Sequence, residues 1–272
     1  MYRISCFADE ISPDLGEQIA FMQDNGIKYV EFRSVWDKNV ADLTDGEIET
    51  VKAQFSAVGI AVSSVGSPIG KIDIGDDFQS HFQKFRRVVQ IAGALHAPYI
   101  RIFSFFMKKE DYDIREQTVV DRLRTMLEVA REHDVCLLHE NEAHIFGESS
   151  LNCKKLLEAL NSGRFRAVLD PSNFVAAGED PLSSFGNVKE YVEYVHVKDS
   201  RRETGEIVVA GRGDGRIREL LHALRGREGM FLSLEPHLCA AGPFRGFTGP
   251  ALFRQDLEAL RAILKELEIC YE

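Results

Sequence analysis

Short apolar runs alternate along this chain with longer stretches whose apolar residues recur every three or four positions. The first period is that of a strand and the second that of a helix face. Arg3 to Ala8, Ile27 to Phe32, Ile60 to Val65 and Pro98 to Phe103 predict four strands. Ser12-Pro13-Asp14 predicts the start of a first helix, with Ser12 as N-cap and Pro13 at the first helical position, and Asn25-Gly26 its end. Further helices are expected over Asp45 to Ala57, about Phe78 to Leu95, and Glu116 to His133. In the last, Leu123, Met126, Leu127 and Ala130 share one face.

The next four apolar runs each end in a residue able to bind a metal or move a proton. Leu137-Leu138-His139-Glu140 is followed by Asn141-Glu142-Ala143-His144. Ala167-Val168-Leu169-Asp170 is stopped by Pro171, Tyr194-Val195-His196-Val197 runs into Lys198-Asp199, and Leu232-Ser233-Leu234-Glu235 is stopped by Pro236. Helical patterns separate them: about Ser150 to Asn161, a weaker one after Pro181, about Ile217 to Leu224, and Pro250 to Leu267 at the end. Eight strand–helix units predict a parallel sheet closed into an α/β (β/α)8 TIM barrel, one domain over residues 1–272. The alternative is an open doubly wound sheet. A dinucleotide-binding version of it would need G-x-G-x-x-G after the first strand, where Phe7-Ala8-Asp9-Glu10 stands instead.

Composition narrows the partners. A net charge of -10 repels phosphate backbones, so nucleic acid is not expected as a partner. Five cysteines, none in C-x-x-C, point to a reducing cytoplasmic setting rather than a disulfide framework. The N-terminal run is too short and polar for a signal peptide, and no stretch approaches the ~18 apolar residues of a membrane span.

In a barrel of this kind, residues at strand C-termini face the catalytic mouth. Glu140, Asp170, His196 and Glu235 would meet there as three carboxylates and one imidazole. This donor set suits Mn²⁺, Mg²⁺ or Co²⁺ better than a thiolate-seeking structural zinc. Any one acid at a strand end is commonly a helix cap or ion-pair partner; four on consecutive strands point to one site. One divalent ion is therefore expected, manganese first, with magnesium, cobalt or zinc as alternatives. The matching chemistry is removal of a proton next to a carbonyl. A divalent cation stabilises the resulting enediolate as a Lewis acid, and two flanking carboxylates can take and return the proton.

The segments His139-Glu140-Asn141-Glu142, Leu169-Asp170-Pro171-Ser172-Asn173-Phe174, His196-Val197-Lys198-Asp199 and Leu234-Glu235-Pro236-His237 resemble the xylose isomerase-like TIM-barrel superfamily, in its sugar phosphate isomerase/epimerase branch. The likeness extends over essentially the whole chain in strand and helix order. It implies one divalent metal held by Glu140, Asp170, His196 and Glu235, with Glu140 and Glu235 doubling as the acid/base pair. It also implies that Arg202 contacts substrate. Two positions depart from the epimerases: Asn173 replaces a histidine and Phe146 a substrate-binding glutamate.

The remaining candidates follow from placement. His139 should face away from the barrel interior by strand alternation. His144 and His237, just past strand ends, are candidates for substrate contact or for support behind the ligands. Lys198 shares the face of His196, Glu31 lies near the end of the second strand, and Lys71 follows the loop Gly66-Ser67-Pro68-Ile69-Gly70; each is a candidate for the substrate pocket. Gly211, Arg212 and Gly213 lie in a glycine-rich turn after the seventh strand, where barrels often bind phosphate; the plain alternative is a sharp turn. The expected function is a metal-dependent isomerase or epimerase of a sugar, keto-sugar or polyol derivative. A lyase on the same site, such as a keto-inositol dehydratase or β-eliminating deglycosidase, is the runner-up. An endonuclease IV-like repair nuclease is remote, because its trinuclear zinc cluster needs more histidines than the chain supplies at strand ends. A catalytically silent binding subunit is the last alternative. The oligomeric state, including a homo-oligomer, is left open.

Overall fold

A computed structural model describes residues 1–239 and 246–272. Eight parallel strands follow one another around a near-closed barrel: β1 (Arg3–Cys6), β2 (Tyr29–Phe32), β3 (Ala61–Gly66), β4 (Tyr99–Ile102), β5 (Cys136–Glu140), β6 (Phe165–Leu169), β7 (Val192–Val197) and β8 (Phe231–Leu234). Ladder hydrogen bonds join each strand to the next in sequence from β2 to β8, and β8 back to β1. β1 and β2 pack side by side at the remaining seam. The helices lie outside: α1 (Leu15–Asp24), α2 (Asp45–Ala57), α3 (Phe78–Ala94), α4 (Tyr112–Glu132), α5 (Ser150–Leu160), α6 (Pro171–Ala176), α7 (Pro181–Val188), α8 (Ile217–Ala223) and α9 (Pro250–Glu266). The expected (β/α)8 architecture is what forms. Among the described residues no helix is long and apolar enough to cross a membrane.

Local chemistry moved some boundaries. Asp14, not Ser12, caps α1 by accepting from the Glu17 amide, and Ser12 Oγ instead accepts from Asp14 N. An ionised carboxylate answers the partial positive charge of a helix N-terminus better than a hydroxyl does. Pro171, expected only to stop β6, sits at the start of the short helix α6, with Asp170 as its N-cap. β1 ends at Cys6, and Ala8–Glu10 forms a 3-10 turn that carries Asp9 and Glu10 to the mouth.

The strand period of two sorts residues between layers. Leu137 of β5 and Val195 of β7 join the large core between sheet and helices. Cys136, Leu138, Val168, Tyr194 and Phe231 pack together inside the barrel, with Tyr29 and Tyr99 against them. Two residues further along the same strands stand Glu140, Asp170 and His196. An apolar floor therefore lies directly beneath a polar mouth.

The loop after β3 is fixed by the chain after β4. Phe103 N donates to Ile69 O and Phe105 N to Gly70 O. Gly70 has φ +89, and a Cβ there would lie 2.1 Å from Phe103 O. Gly70→Ala should lower stability by roughly 1–3 kcal/mol, combining left-handed strain with a backbone clash. Urea unfolding measures this, and an unchanged midpoint would refute it.

Candidate metal centre

Glu140, Asp170, His196 and Glu235 converge at the C-terminal end of the barrel, each offering a ligand atom within 4.8 Å of the others, and all four are buried. His196 Nδ1 lies 3.3 Å from Glu140 Oε1 and 3.3 Å from Glu235 Oε2. Its Nε2 lies 3.2 Å from Glu31 Oε2. A donor hydrogen on Nε2, held by the Glu31 carboxylate, leaves the Nδ1 lone pair pointing into the cluster, as a metal-binding imidazole requires.

The other ligands are oriented as firmly. Arg101 Nη1 donates to Glu140 Oε2 (2.6 Å), and Asn173 Nδ2 donates to Glu140 Oε1 (3.2 Å). Arg33 Nη1 donates to Glu235 Oε1 (3.0 Å). Asp170 Oδ1 accepts from Asn173 N (2.9 Å), while Asn141 exchanges two hydrogen bonds with the Asp170 backbone. Both guanidiniums lie over aromatic rings, Arg33 over Phe7 at 4.4 Å and Arg101 over Phe103 at 4.6 Å.

Three of the buried atoms turned into the cluster have no hydrogen-bond partner: Asp170 Oδ2, His196 Nδ1 and Glu235 Oε2. Lys198 Nζ lies 2.6 Å from Asp170 Oδ2 but in a direction that forms no hydrogen bond. Unpaired buried acceptors are costly. Charge points the same way. With every carboxylate ionised and His196 neutral, six carboxylates (Asp9, Glu10, Glu31, Glu140, Asp170, Glu235) face three cations (Arg33, Arg101, Lys198) in the buried mouth, a formal excess of three negative charges that protons on Glu10, Asp170 or His196 relieve when no ion is bound. Oxygen and imidazole donors, orphaned lone pairs and surplus negative charge all fit a divalent ion.

The protonation equilibria express the same strain. Burial alone would lower the His196 imidazole, but Glu31, Glu140 and Glu235 outweigh it and raise it well above its ordinary value. Burial pushes Asp170 up to about 7, helped by Glu140 and Glu235 and opposed by Lys198. Burial also works to raise Glu140 and Glu235. His196 and Arg101 nonetheless hold Glu140 below the usual carboxylate range, and Lys198, His237 and His196 do so for Glu235.

Beside the cluster opens a cavity of about 200 Å³ lined by Glu140 and Glu235 together with Lys71, Lys198, Glu142 and His237. Lys71 Nζ reaches Glu142 Oε2 (3.0 Å) and lies 4.2 Å from the centre of the Phe103 ring. His237 has φ +47, with Nε2 3.2 Å from Glu10 Oε1 and 3.4 Å from Glu235 Oε1. Of the other sequence candidates, Glu31 is the partner of His196 rather than part of the cavity lining. His139 turns outward, as expected, and bonds Ser104 Oγ (3.0 Å).

Three candidates stand apart from this cavity. His144 is exposed. Arg202 is also exposed, donates to Glu179 O and lines a separate depression with Gly211 and Gly213. The turn carrying Gly211, Arg212 and Gly213 is not an open phosphate cradle. Asp199 fills it, accepting from Gly211 N and Gly213 N at 2.9 Å and from Gly215 N at 2.8 Å. Phe146, at the departure from the epimerase pattern, is fully buried against Tyr112.

Sequence reasoning overlooked Arg101 and Glu10, and noted Arg33 only by its place two residues after Glu31. A charged residue between Ile100 and Ile102, in phase with an inward-facing Tyr99, was the available signal for Arg101. Arg33 is in phase with Glu31.

His196→Ala should lose the bound divalent ion on dialysis, as measured by metal analysis; full occupancy would remove His196 from the site. Metal affinity should also fall with acid. Protons on Asp170, raised to about 7, and on His196 compete with the ion, so binding strengthens as pH rises through neutrality. The slope should reach about tenfold per pH unit for each proton displaced. Titration calorimetry of Mn²⁺ at pH 6 and pH 8 checks the sign; equal affinities would contradict it.

The chain is similar to known proteins along most of its length. It is 21% identical over 184 residues to a 3-dehydroshikimate dehydratase of Bacillus anthracis, a match covering 66% of this chain and 65% of that protein. It is 30% identical over 105 residues to a 2-epi-5-epi-valiolone 7-phosphate 2-epimerase of an Actinoplanes species, covering 38% of this chain and 37% of that one. The chain thus spans less than two thirds of either curated relative. The crystal structure of the IOLI protein with a bound zinc atom superposes with a TM-score of 0.79 at 15% identity, over 97% of this chain and 99% of that one. The family model described as xylose isomerase-like TIM barrel matches residues 19–263, and the chain belongs to that family.

Proposed function

We propose that this protein is a divalent-metal-dependent isomerase or epimerase of a sugar, keto-sugar or related polyol, in which Glu140 and Glu235 move a proton on the carbon next to a carbonyl. The observation that carries this reading is that both glutamates belong to the four convergent, buried ligand groups and also line the cavity beside them. Both are held ionised at neutral pH, so either can start as proton acceptor. The residues that would hold the ion are Glu140, Asp170, His196 and Glu235, with manganese preferred for an oxygen-rich set and magnesium, cobalt or zinc as alternatives. When bound, it supplies Lewis-acid stabilisation of the negative charge that develops on the substrate oxygens.

The chain's own groups do the rest. Glu140 turns Oε2 to Arg101 and Glu235 turns Oε1 to Arg33, which fixes the angle at which each carboxylate addresses the cavity. Lys198 adds a fixed positive charge at the rim, where an enediolate would need it. The cavity, at about 200 Å³, is in keeping with a small-molecule substrate. The apolar floor keeps bulk water from entering through the barrel. The setting expected of such an enzyme is the cytoplasm.

A lyase is the second reading, because the B. anthracis relative is a dehydratase and elimination begins with the same proton abstraction. Product mass separates the two: isomerisation conserves it and dehydration loses water.

Glu140→Gln and Glu235→Gln should each lose about 10²–10⁴ in turnover, the usual cost of removing proton transfer, while remaining folded. Keto-sugars incubated with the Mn²⁺-loaded protein in D₂O should gain deuterium next to the carbonyl, read by NMR and mass. Full activity of either glutamine variant with metal retained would end the two-carboxylate mechanism.

A further inference from the structure

We propose that Arg33 is the fixed cation of a second metal-type position and that it keeps this centre mononuclear; the inference rests on the metal reading above. A second group of ligand-type atoms adjoins the first, contributed by Glu10, Glu235 and His237. Glu235 belongs to both. Its Oε2 faces His196 Nδ1 at 3.3 Å, and its Oε1 faces His237 Nε2 at 3.4 Å. A carboxylate that gives one oxygen to each of two neighbouring cation positions has the form of a bridge in a two-metal centre.

The second position has the orphaned atoms of a metal site. Glu10 is fully buried, and its Oε1 has no hydrogen-bond partner; nor do Asp9 Oδ1 or His237 Nε2. Glu10 Oε2 is fixed by Thr248 Oγ1 (2.6 Å) and His237 N (2.8 Å), which aims Oε1 inward. The cation standing among these atoms is a guanidinium. Arg33 Nε donates to Asp9 Oδ2 (2.7 Å) and Nη1 to Glu235 Oε1 (3.0 Å), and Nη2 lies 3.7 Å from Glu10 Oε1.

Arginine suits this duty. It stays charged at any pH the fold survives, and its planar fork meets several carboxylates at once. Stacked on Phe7, it cannot swing aside without exposing the ring face it covers. A second ion would have to displace a tethered charge of its own sign. Two-metal centres clamp the attacking and leaving oxygens of phosphoryl displacements. With Arg33 in the second position, the mouth is restricted to one-metal chemistry, and Glu235 keeps only Oε2 for the ion. Arg33 is therefore a specificity-determining residue that separates this centre from metal-cluster hydrolases.

Metal stoichiometry tests the inference without reference to any substrate. Full-length wild type and Arg33→Ala are equilibrated with Mn²⁺, freed of excess by gel filtration, and measured for manganese per chain and by electron paramagnetic resonance. Wild type should hold one ion. Arg33→Ala should hold two, with an exchange-coupled spectrum, and adding Glu10→Gln should return it to one. Should Arg33→Ala fail to fold, Arg33→Gln keeps the cover over Phe7 while removing the charge, and the same second ion is expected there. One ion with an isolated-ion spectrum in the folded Arg33 variants overturns the inference, as do two ions in wild type. A wild type that binds no metal overturns the proposed function and this inference with it.

Discussion

Surplus negative charge in a low-dielectric mouth is the constraint around which this barrel is arranged. An uncompensated buried ion costs several kcal/mol, so each carboxylate must be matched or protonated, or must share a cation. The structure uses several of these solutions at once. Arg101 and Arg33 each take one oxygen of a glutamate, Lys198 leans toward Asp170, and Glu31 supports the imidazole of His196. Unmatched atoms remain in two adjoining places: on Asp170, His196 and Glu235, and on Asp9, Glu10 and His237.

The apolar floor makes that arrangement possible. Tyr194, Phe231, Leu138 and Val168 close the barrel beneath the mouth, with Tyr29 and Tyr99 packed against them. Tyr194 is itself satisfied by Ser63 Oγ, which bonds Ser5 Oγ in turn. Charges above such a layer interact more strongly than they would in water. The same pleat that sends Leu138 into the floor sends Glu140 into the mouth two residues later, so packing and chemistry are written in one strand.

This explains which features were legible in the sequence. Strand ends bearing Glu140, Asp170, His196 and Glu235 follow from period-two patterning, and each can be read from its own short segment. The (β/α)8 order follows from alternation of the two periods. Arg33 and Arg101 were not legible in the same way. Arg33 follows β2 and its partner follows β8, so barrel closure brings them together; Arg101 meets Glu140 across the β4–β5 pair, a contact that depends on strand register. The helix start at Asp14 was missed because Ser12 and Asp14 both have capping side chains, and the choice between them depends on which one reaches the Glu17 amide. Asn173 was visible only as a departure from the epimerase pattern. In the structure its amide binds Glu140 Oε1 and Asn141 O, so it orients a ligand instead of extending into the cavity.

The glycine-rich turn after β7 shows how one local pattern can serve either a ligand or the fold. Clustered backbone amides attract an anion wherever it comes from. Here the chain supplies Asp199, three residues beyond His196, and the turn wraps around it. Asp256 of α9 extends the arrangement by accepting from Ala210 N at 2.7 Å, and burial pushes its carboxyl up to about 7. The segment behind His196 and Lys198 is thereby tied to the last helix through buried carboxylates. That makes it a stiff backing for the ligands. Lys71 and Glu142, by contrast, meet across the cavity from the loops after β3 and β5 with their side chains partly open to solvent. The wall behind β7 therefore holds His196 and Lys198; Arg33, Arg101, Asn141 and Asn173 hold the other ligands; and the facing loops are where substrate choice can vary.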